Sequence, residues 1–329
     1  MRFLAAASEA FVLSKVMPGP ASLIRCRFRW LCLVALAALG AVASCSQPPP
    51  DARQTNRHSF TDGTGRQVAI IANPQRIISL APNITEILFA LGCGDRIVGV
   101  TTYCDFPPEA RAKEKIGDTL RPNLERIIAL KPDLVLISTA SQLELLTRRL
   151  DELSIPVYVT NPRTVSEVVA SIRHLGEVTG ATRRASELAD EMDRRIQAVR
   201  QSVKDAPRPR VFYVLQTGPL ITAGCNTFIN DLINLAGGES ISADETADYP
   251  QYSRETVVAR APEVIVAPES HGNELVSEET LRRDFATTPA ARHHRIVRVN
   301  PDLTNRPGPR IVEGLEQLAR ALHSAGSRR

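Results

Sequence analysis

The chain has 329 residues, with 40 Lys and Arg against 36 Asp and Glu and a formal charge of +4. Five of those basic residues (Arg2, Lys15, Arg25, Arg27, Arg29) and one acid (Glu9) fall within 1–45, so the remainder carries 35 of each sign and is neutral. Neutrality argues against a nucleic-acid partner, which asks for a basic excess, while 43% hydrophobic residues over this length leave room for a sizeable core and two domains.

Residues 1–45 read as a lipoprotein signal peptide. Arg25, Arg27 and Arg29 form a basic region, and residues 31–42 are apolar apart from Cys32 and Gly40. Twelve residues are too few for a membrane-spanning helix, which needs roughly 20. The run ends in Val42-Ala43-Ser44-Cys45, which resembles the lipobox of bacterial lipoproteins and makes Cys45 the expected lipidation site. Met17 is an alternative start to Met1. Residues 46–65 are a polar, proline-rich tether and lead-in. Beyond Cys45 the chain keeps Cys93, Cys104 and Cys225. An odd number leaves at least one unpaired. A Cys93–Cys104 disulfide and three buried thiols both fit.

The N-terminal lobe is expected over 66–163. Residues 76–80 read as a buried strand and 84–91 as a helix, with apolar residues at 84, 87, 88 and 91 on one face and Gly92 as its C-cap. A strand at 97–100 leads into a loop over 101–108. Asn123 then caps a helix carrying Glu125, and 134–137 is the next strand. A helix at 141–150 and a strand at 156–159 complete the lobe. Residues 164–203 lack proline and hold glycine only at 176 and 180, so they read as one long bridging helix, kinked near those glycines, within a linking segment 164–205. The C-terminal lobe, 206–329, repeats the alternation. Strands are expected at 210–215, 263–267 and 295–299, and helices at 227–236, 253–260, 276–286 and 309–323. The fold class is therefore α/β, with two lobes, each a mainly parallel sheet flanked by helices, joined by one long helix.

One segment recurs 130 positions on. Glu125-Arg-Ile-Ile-Ala-Leu-Lys-Pro-Asp-Leu-Val-Leu136 aligns without gaps on Glu255-Thr-Val-Val-Ala-Arg-Ala-Pro-Glu-Val-Ile-Val266. Two similar lobes imply a cleft between them. Matching carboxylates at Glu125 and Glu255 imply a paired surface for a partner. By themselves these residues also suit a helix's first turn, where the dipole favours an acid.

Catalytic and nucleotide motifs are missing. Gly92-Cys-Gly94 closes a helix, whereas a dinucleotide loop opens one. No Gly-x-Ser-x-Gly elbow occurs. The six histidines (58, 174, 271, 293, 294, 323) are scattered and suggest no metal site. The chain reads as a non-enzyme without a cofactor.

Three stretches carry a family resemblance: Arg76-Ile-Ile-Ser-Leu-Ala-Pro-Asn-Ile-Thr-Glu-Ile-Leu-Phe-Ala-Leu-Gly92, Val98-Gly-Val-Thr-Thr-Tyr-Cys-Asp-Phe-Pro-Pro-Glu-Ala110 and Asn123-Leu-Glu-Arg-Ile-Ile-Ala-Leu-Lys-Pro-Asp133. They resemble the helical-backbone class of periplasmic binding proteins, substrate receptors of ABC importers for vitamin B12, ferric siderophores and haem. Within that class they are most similar to the vitamin B12 receptors. The resemblance spans about residues 60–325. It implies that Glu125 and Glu255 dock onto a permease dimer, and that Tyr103 lines the cleft. It also implies that Asp302 and Arg306 contact the edge of a corrinoid or similar bulky chelate. Thr119, with Leu120 beside it, Ser138 and Tyr249 stand where the B12 receptors have aromatic cleft residues, and Leu215 stands where they have phenylalanine. The expected protein is an extracytoplasmic, lipid-anchored receptor delivering cobalamin or a related corrinoid. A ferric siderophore or haem is the alternative ligand, kept alive by Arg121 and Arg306. An extracytoplasmic enzyme or metal-handling protein on the same scaffold is the second alternative.

Overall fold

The computed structural model describes residues 56–138, 144–269, 276 and 278–324. The signal peptide, Cys45 and most of the tether lie outside them. The lead-in already carries structure, because β1 (Arg57–Thr61) pairs antiparallel with β2 (Gln67–Ile71). The turn between them is organised by the Asp62 carboxylate. It accepts from the Thr64 and Arg66 amides at 2.9 and 3.0 Å and from the Arg66 guanidinium at 2.9 Å.

The first lobe follows as β3 (Ile77–Ser79), α1 (Pro82–Ala90), β4 (Ile97–Val100), α2 (Leu124–Ala129), β5 (Leu134–Ser138), α3 (Glu144–Glu152) and β6 (Val157–Thr160). Its strands run parallel in the order β4-β3-β5-β6. After the linking helices α4 (Val165–Thr179) and α5 (Thr182–Ser202), the second lobe begins with β7 (Arg210–Tyr213). A short hairpin of β8 (Gln216–Thr217) and β9 (Leu220–Ile221) comes next, then α6 (Phe228–Leu235), β10 (Glu239–Ser240), α7 (Arg254–Ala259) and β11 (Val264–Pro268). The chain ends through α8 (Glu278–Asp284), α9 (Pro289–Arg292), β12 (Ile296–Val299), α10 (Pro301–Thr304) and α11 (Ile311–His323). The second sheet is parallel too, ordered β10-β7-β11-β12. Each lobe thus places its second strand outside its first. The central strands are apolar and buried, as sheets covered on both faces require.

The repeated segment has a shared structural job. Asn123 caps α2 through the Arg126 amide at 3.0 Å, and Ser253 caps α7 through the Thr256 amide at 3.1 Å. Lys131 and Ala261 both sit at φ +45°, and a proline follows each. The Asp133 carboxylate then accepts from the Gln75 and Arg76 amides at 2.9 Å, and Glu263 accepts from the Arg210 amide at 2.8 Å. The matched acids therefore pin the entry to the first strand of each lobe.

The linking segment is helical, as expected, but it is not one helix. Gly180 takes φ +72° and closes α4, and the Ala181 amide turns back to the Gly176 carbonyl at 2.7 Å. α5 then runs back along α4. Arg173 of α4 meets Asp190 and Asp193 of α5 at 3.0 and 2.8 Å. A Cβ on Gly176 would come within 2.2 Å of the Ala185 Cβ, so the missing side chain is what lets the two helices approach. α5 is the spanning element. Arg184 near its start donates to the Ala90 carbonyl in the first lobe at 2.6 Å, and Arg195 pairs with Glu316 of α11 in the second at 2.9 and 3.0 Å.

Alternate strand residues face different cores. Ile78, Val135 and Val157 belong to a cluster inside the first lobe, and Phe212, Ile265 and Ala267 to one inside the second. The opposite sheet faces share a third cluster, which runs from Leu88 through Ile172 and Met192 to Leu232 and Leu315. Cys93 and Cys104 are buried free thiols, so no disulfide joins them. Cys93 Sγ accepts from Arg96 at 2.8 Å, and Cys104 Sγ accepts from the Thr85 hydroxyl at 3.1 Å. Among the described residues, no helix is long and apolar enough to cross a membrane.

Candidate ligand cleft

A cavity of about 320 Å³ opens between the lobes at the carboxyl ends of the strands. Parallel sheets leave their ligand crevices at that edge. From the first lobe, Ser138 closes β5, Asn161 follows β6, and Ala81 to Asn83 lead into α1. From the second, Asn226 and Thr227 lead into α6, and the Asp248-Tyr249 and Asn305-Arg306 loops face them. Pro82 starts α1 because its fixed φ suits a first helical residue. Thr227 caps α6 through the Asn230 amide at 3.3 Å. These local signals bring both helix starts to the same mouth.

The wall mixes apolar and polar groups, and its cations are already paired. Of its two cations, Arg163 pairs with Asp248 at 2.6 Å and donates to the Asn226 carbonyl at 3.2 Å. The other, Arg306, meets Glu86 at 3.2 Å, Asp105 at 2.9 Å and Asp302 at 2.8 Å. Burial pushes the Asp105 carboxyl up, yet the Arg306 hydrogen bond and charge outweigh it and hold the group below the usual carboxylate range. Burial likewise works against the Arg306 cation, and Asp105, Asp302 and Glu86 overcome it. Four asparagines, Asn83, Asn161, Asn226 and Asn305, add amides, and Thr119, Ser138, Thr227 and Tyr249 add hydroxyls. Asn83 donates to the Pro307 carbonyl across the lobes at 3.3 Å, and Asn305 accepts from the buried Tyr213 hydroxyl at 2.8 Å. Burial raises the Tyr249 phenol above its ordinary value, with the Asp248 charge adding to it.

Of the residues singled out from sequence, Thr119, Ser138, Tyr249 and Arg306 line this cavity. Tyr103 and Leu120 do not; they stand out from the first lobe, 59% and 68% exposed. Asp302 reaches the cavity only through Arg306, and Leu215 packs against the shared core. Glu125 and Glu255 lie apart from the cleft, exposed in the first turns of α2 and α7. Hydrogen bonds from its own amide and from Ser253 hold the Glu255 carboxyl below its ordinary value. Sequence reasoning missed the asparagines, Arg163, Asp248, Glu86, Asp105 and Arg310. One signal was available: Asn161-Pro162 and Asn300-Pro301 each follow the last strand of a lobe. Among the described residues, no group of three His, Cys, Asp or Glu could hold a metal ion.

Residues 77–303 match the periplasmic binding protein family. The chain is 33% identical over 309 residues to an uncharacterized ABC transporter substrate-binding lipoprotein, YvrC, of Bacillus subtilis, covering 89% of this chain and 96% of that protein. Its structure is similar to that of the periplasmic vitamin B12 binding protein BtuF of Vibrio cholerae, with a TM-score of 0.71, 31% identity, and 78% and 99% of the two chains covered. It is similar also to the apo periplasmic haem-binding protein RhuT from Roseiflexus sp. RS-1, with a TM-score of 0.70, 29% identity, and 77% and 99% covered.

Proposed function

This chain belongs to the periplasmic binding protein family, and from that premise we propose that it is the substrate receptor of an ABC importer for cobalamin or a related corrinoid. The observation that carries the ligand class is the cavity wall, an amide collar whose two cations are already paired. A corrinoid presents primary amides around its edge. Asparagine side chains can donate to and accept from such amides at once, at no cost in unpaired charge. A carboxylate-edged ligand would need a free cation, and displacing a partly buried partner leaves that partner unpaired. At about 320 Å³ the cavity lies at the low end of small-molecule sites. A corrinoid would insert one edge and rest against Tyr249, which is half exposed at the rim.

The test is calorimetric titration of residues 46–329 with cyanocobalamin. The expected result is saturable one-to-one binding at micromolar concentration or tighter. A second reading, haem, is favoured by the Tyr249 phenol at the cavity and by the likeness to RhuT. No heat with cyanocobalamin, together with a Soret shift on adding haemin that Tyr249→Phe abolishes, would transfer the assignment to haem.

The permease contact falls on Glu125 and Glu255. They occupy equivalent exposed turns of the two lobes, so a two-fold permease could meet them alike. Charge pairs at such a surface set orientation and association rate more than ligand affinity. Glu125→Ala with Glu255→Ala should leave cyanocobalamin affinity unchanged and cripple transporter-dependent uptake; unimpaired uptake would remove the docking role. Lipidation at Cys45 would tether this receptor to a membrane on its extracytoplasmic side. Metabolic incorporation of labelled palmitate that survives Cys45→Ser would rule that site out.

A further inference from the structure

Glu86 sits on α1 of the first lobe, 3% exposed, and does not line the cavity. All three charge-assisted hydrogen bonds to its carboxylate come from the second lobe. Arg310 donates through Nε to Oε2 at 2.8 Å and through Nη2 to Oε1 at 2.7 Å, and Arg306 donates through Nη1 to Oε1 at 3.2 Å. The same Arg306 nitrogen reaches Asp105 of the first lobe at 2.9 Å. The Arg310 guanidinium also lies 3.8 Å from the centre of the Phe106 ring, again in the first lobe. Two second-lobe arginines are therefore gripped by two acids and one aromatic face from the first.

Arg306 has a foot in each setting, because it lines the cavity on one side and meets Glu86 on the other. Resting on the reading of that cavity as the ligand site, we propose that Glu86 is a positioning residue for the cleft: it holds Arg306 at the wall and, with Arg310, latches the lobes at one spacing. A bidentate arginine–carboxylate fork fixes direction as well as distance. Removing the carboxylate charge would leave the partly buried Arg310 without its counter-ion, the costly way to break such a pair. The guanidinium would then seek water, and the lobes could part at this point.

The test reads lobe spacing and ligand affinity separately. Nitroxides are placed at Ala129→Cys and Ala259→Cys, exposed and equivalent sites on α2 and α7, in a Cys225→Ser background; Cys93 and Cys104 are buried and stay unlabelled. Without ligand, the latched chain should give one narrow distance distribution by pulsed electron paramagnetic resonance. Glu86→Gln should widen it and weaken cyanocobalamin binding about tenfold, in the range of site-to-site couplings. Glu86→Asp, which keeps the charge, should fall between. A merely structural Glu86 would lower the melting temperature and leave both readouts alone. If Glu86→Gln does not fold, Glu86→Asp and Arg310→Lys carry the test. Wild-type spacing together with wild-type affinity in the folded variants would overturn the proposal. Failure of cyanocobalamin to bind the unmodified chain would instead remove the corrinoid reading, and the distance distributions alone would then decide the latch.

Discussion

Lys131 and Ala261 hold φ +45° where their helices end, a conformation that costs any residue with a Cβ about 1–2 kcal/mol. The chain accepts that strain twice at equivalent places. Each turn is held there by the next two residues, a proline and then the Asp133 or Glu263 carboxylate clamped to backbone amides. Lys131→Gly and Ala261→Gly should each stabilise the fold by about 0.5–1 kcal/mol in urea unfolding, the gain at this position being offset only in part by glycine's freer unfolded chain. Asp62 offers a second check. Burial raises its carboxyl, but the bonds from Thr64 and Arg66 prevail and leave it below the ordinary value. A depressed carboxylate stabilises the fold above its unfolded pKa of about 3.9 and loses that contribution as pH falls toward the folded value. Asp62→Asn should therefore be less stable at neutral pH, with the difference from wild type shrinking below about pH 4. At this scale the helix signals were legible, since Asn123, Ser253 and Gly92 act through neighbours in sequence. The asparagine collar was not. Its four members come from the first turn of α1 and from three separate loops, and they acquire a common purpose only when the lobes fold together.

Among the elements, the α4–α5 hairpin shows where local signals stop. Its helical character, its absence of proline and its two glycines were all readable. Whether those glycines kink one helix or reverse the chain depends on a contact the sequence does not display, that of Gly176 against Ala185. Gly176→Ala would drive two methyl groups into overlap and should cost about 1–3 kcal/mol, as overpacking does. An unchanged denaturation midpoint would mean that the hairpin opens without penalty. The Arg195–Glu316 tie between α5 and α11 is partly solvated and should contribute much less, about 1 kcal/mol at most.

The two lobes grip one another by a matched pair of contacts. On α1, Glu86 holds Arg310, the residue just before α11; on α6, Asp231 accepts from the amide of Val165, the first residue of α4, at 2.8 Å. In each case an acid on a lobe's first helix takes hold of the start of a long helix that follows the other lobe's last strand. The two-lobe plan was legible from the 130-residue repeat, but this pairing links positions up to 224 apart and leaves no local trace. The shared core has the same reach. Because Leu88, Ile172, Leu232 and Leu315 belong to one cluster, heating should give a single cooperative transition, and two resolved calorimetric peaks would show that the lobes unfold separately. For the same reason ligand should close the cleft little. Scattering profiles of free and loaded receptor should overlay, and a marked compaction would contradict the shared core as a brake.

A practical corollary concerns sensors. Many ligand reporters attach a dye to each half of a receptor and read the swing between them. With one apolar core threaded through both halves, there is little swing to read. A reporter built on this chain should instead carry its fluorophore at the cavity rim, near Tyr249, where a bound ligand would change the dye's surroundings without moving the scaffold.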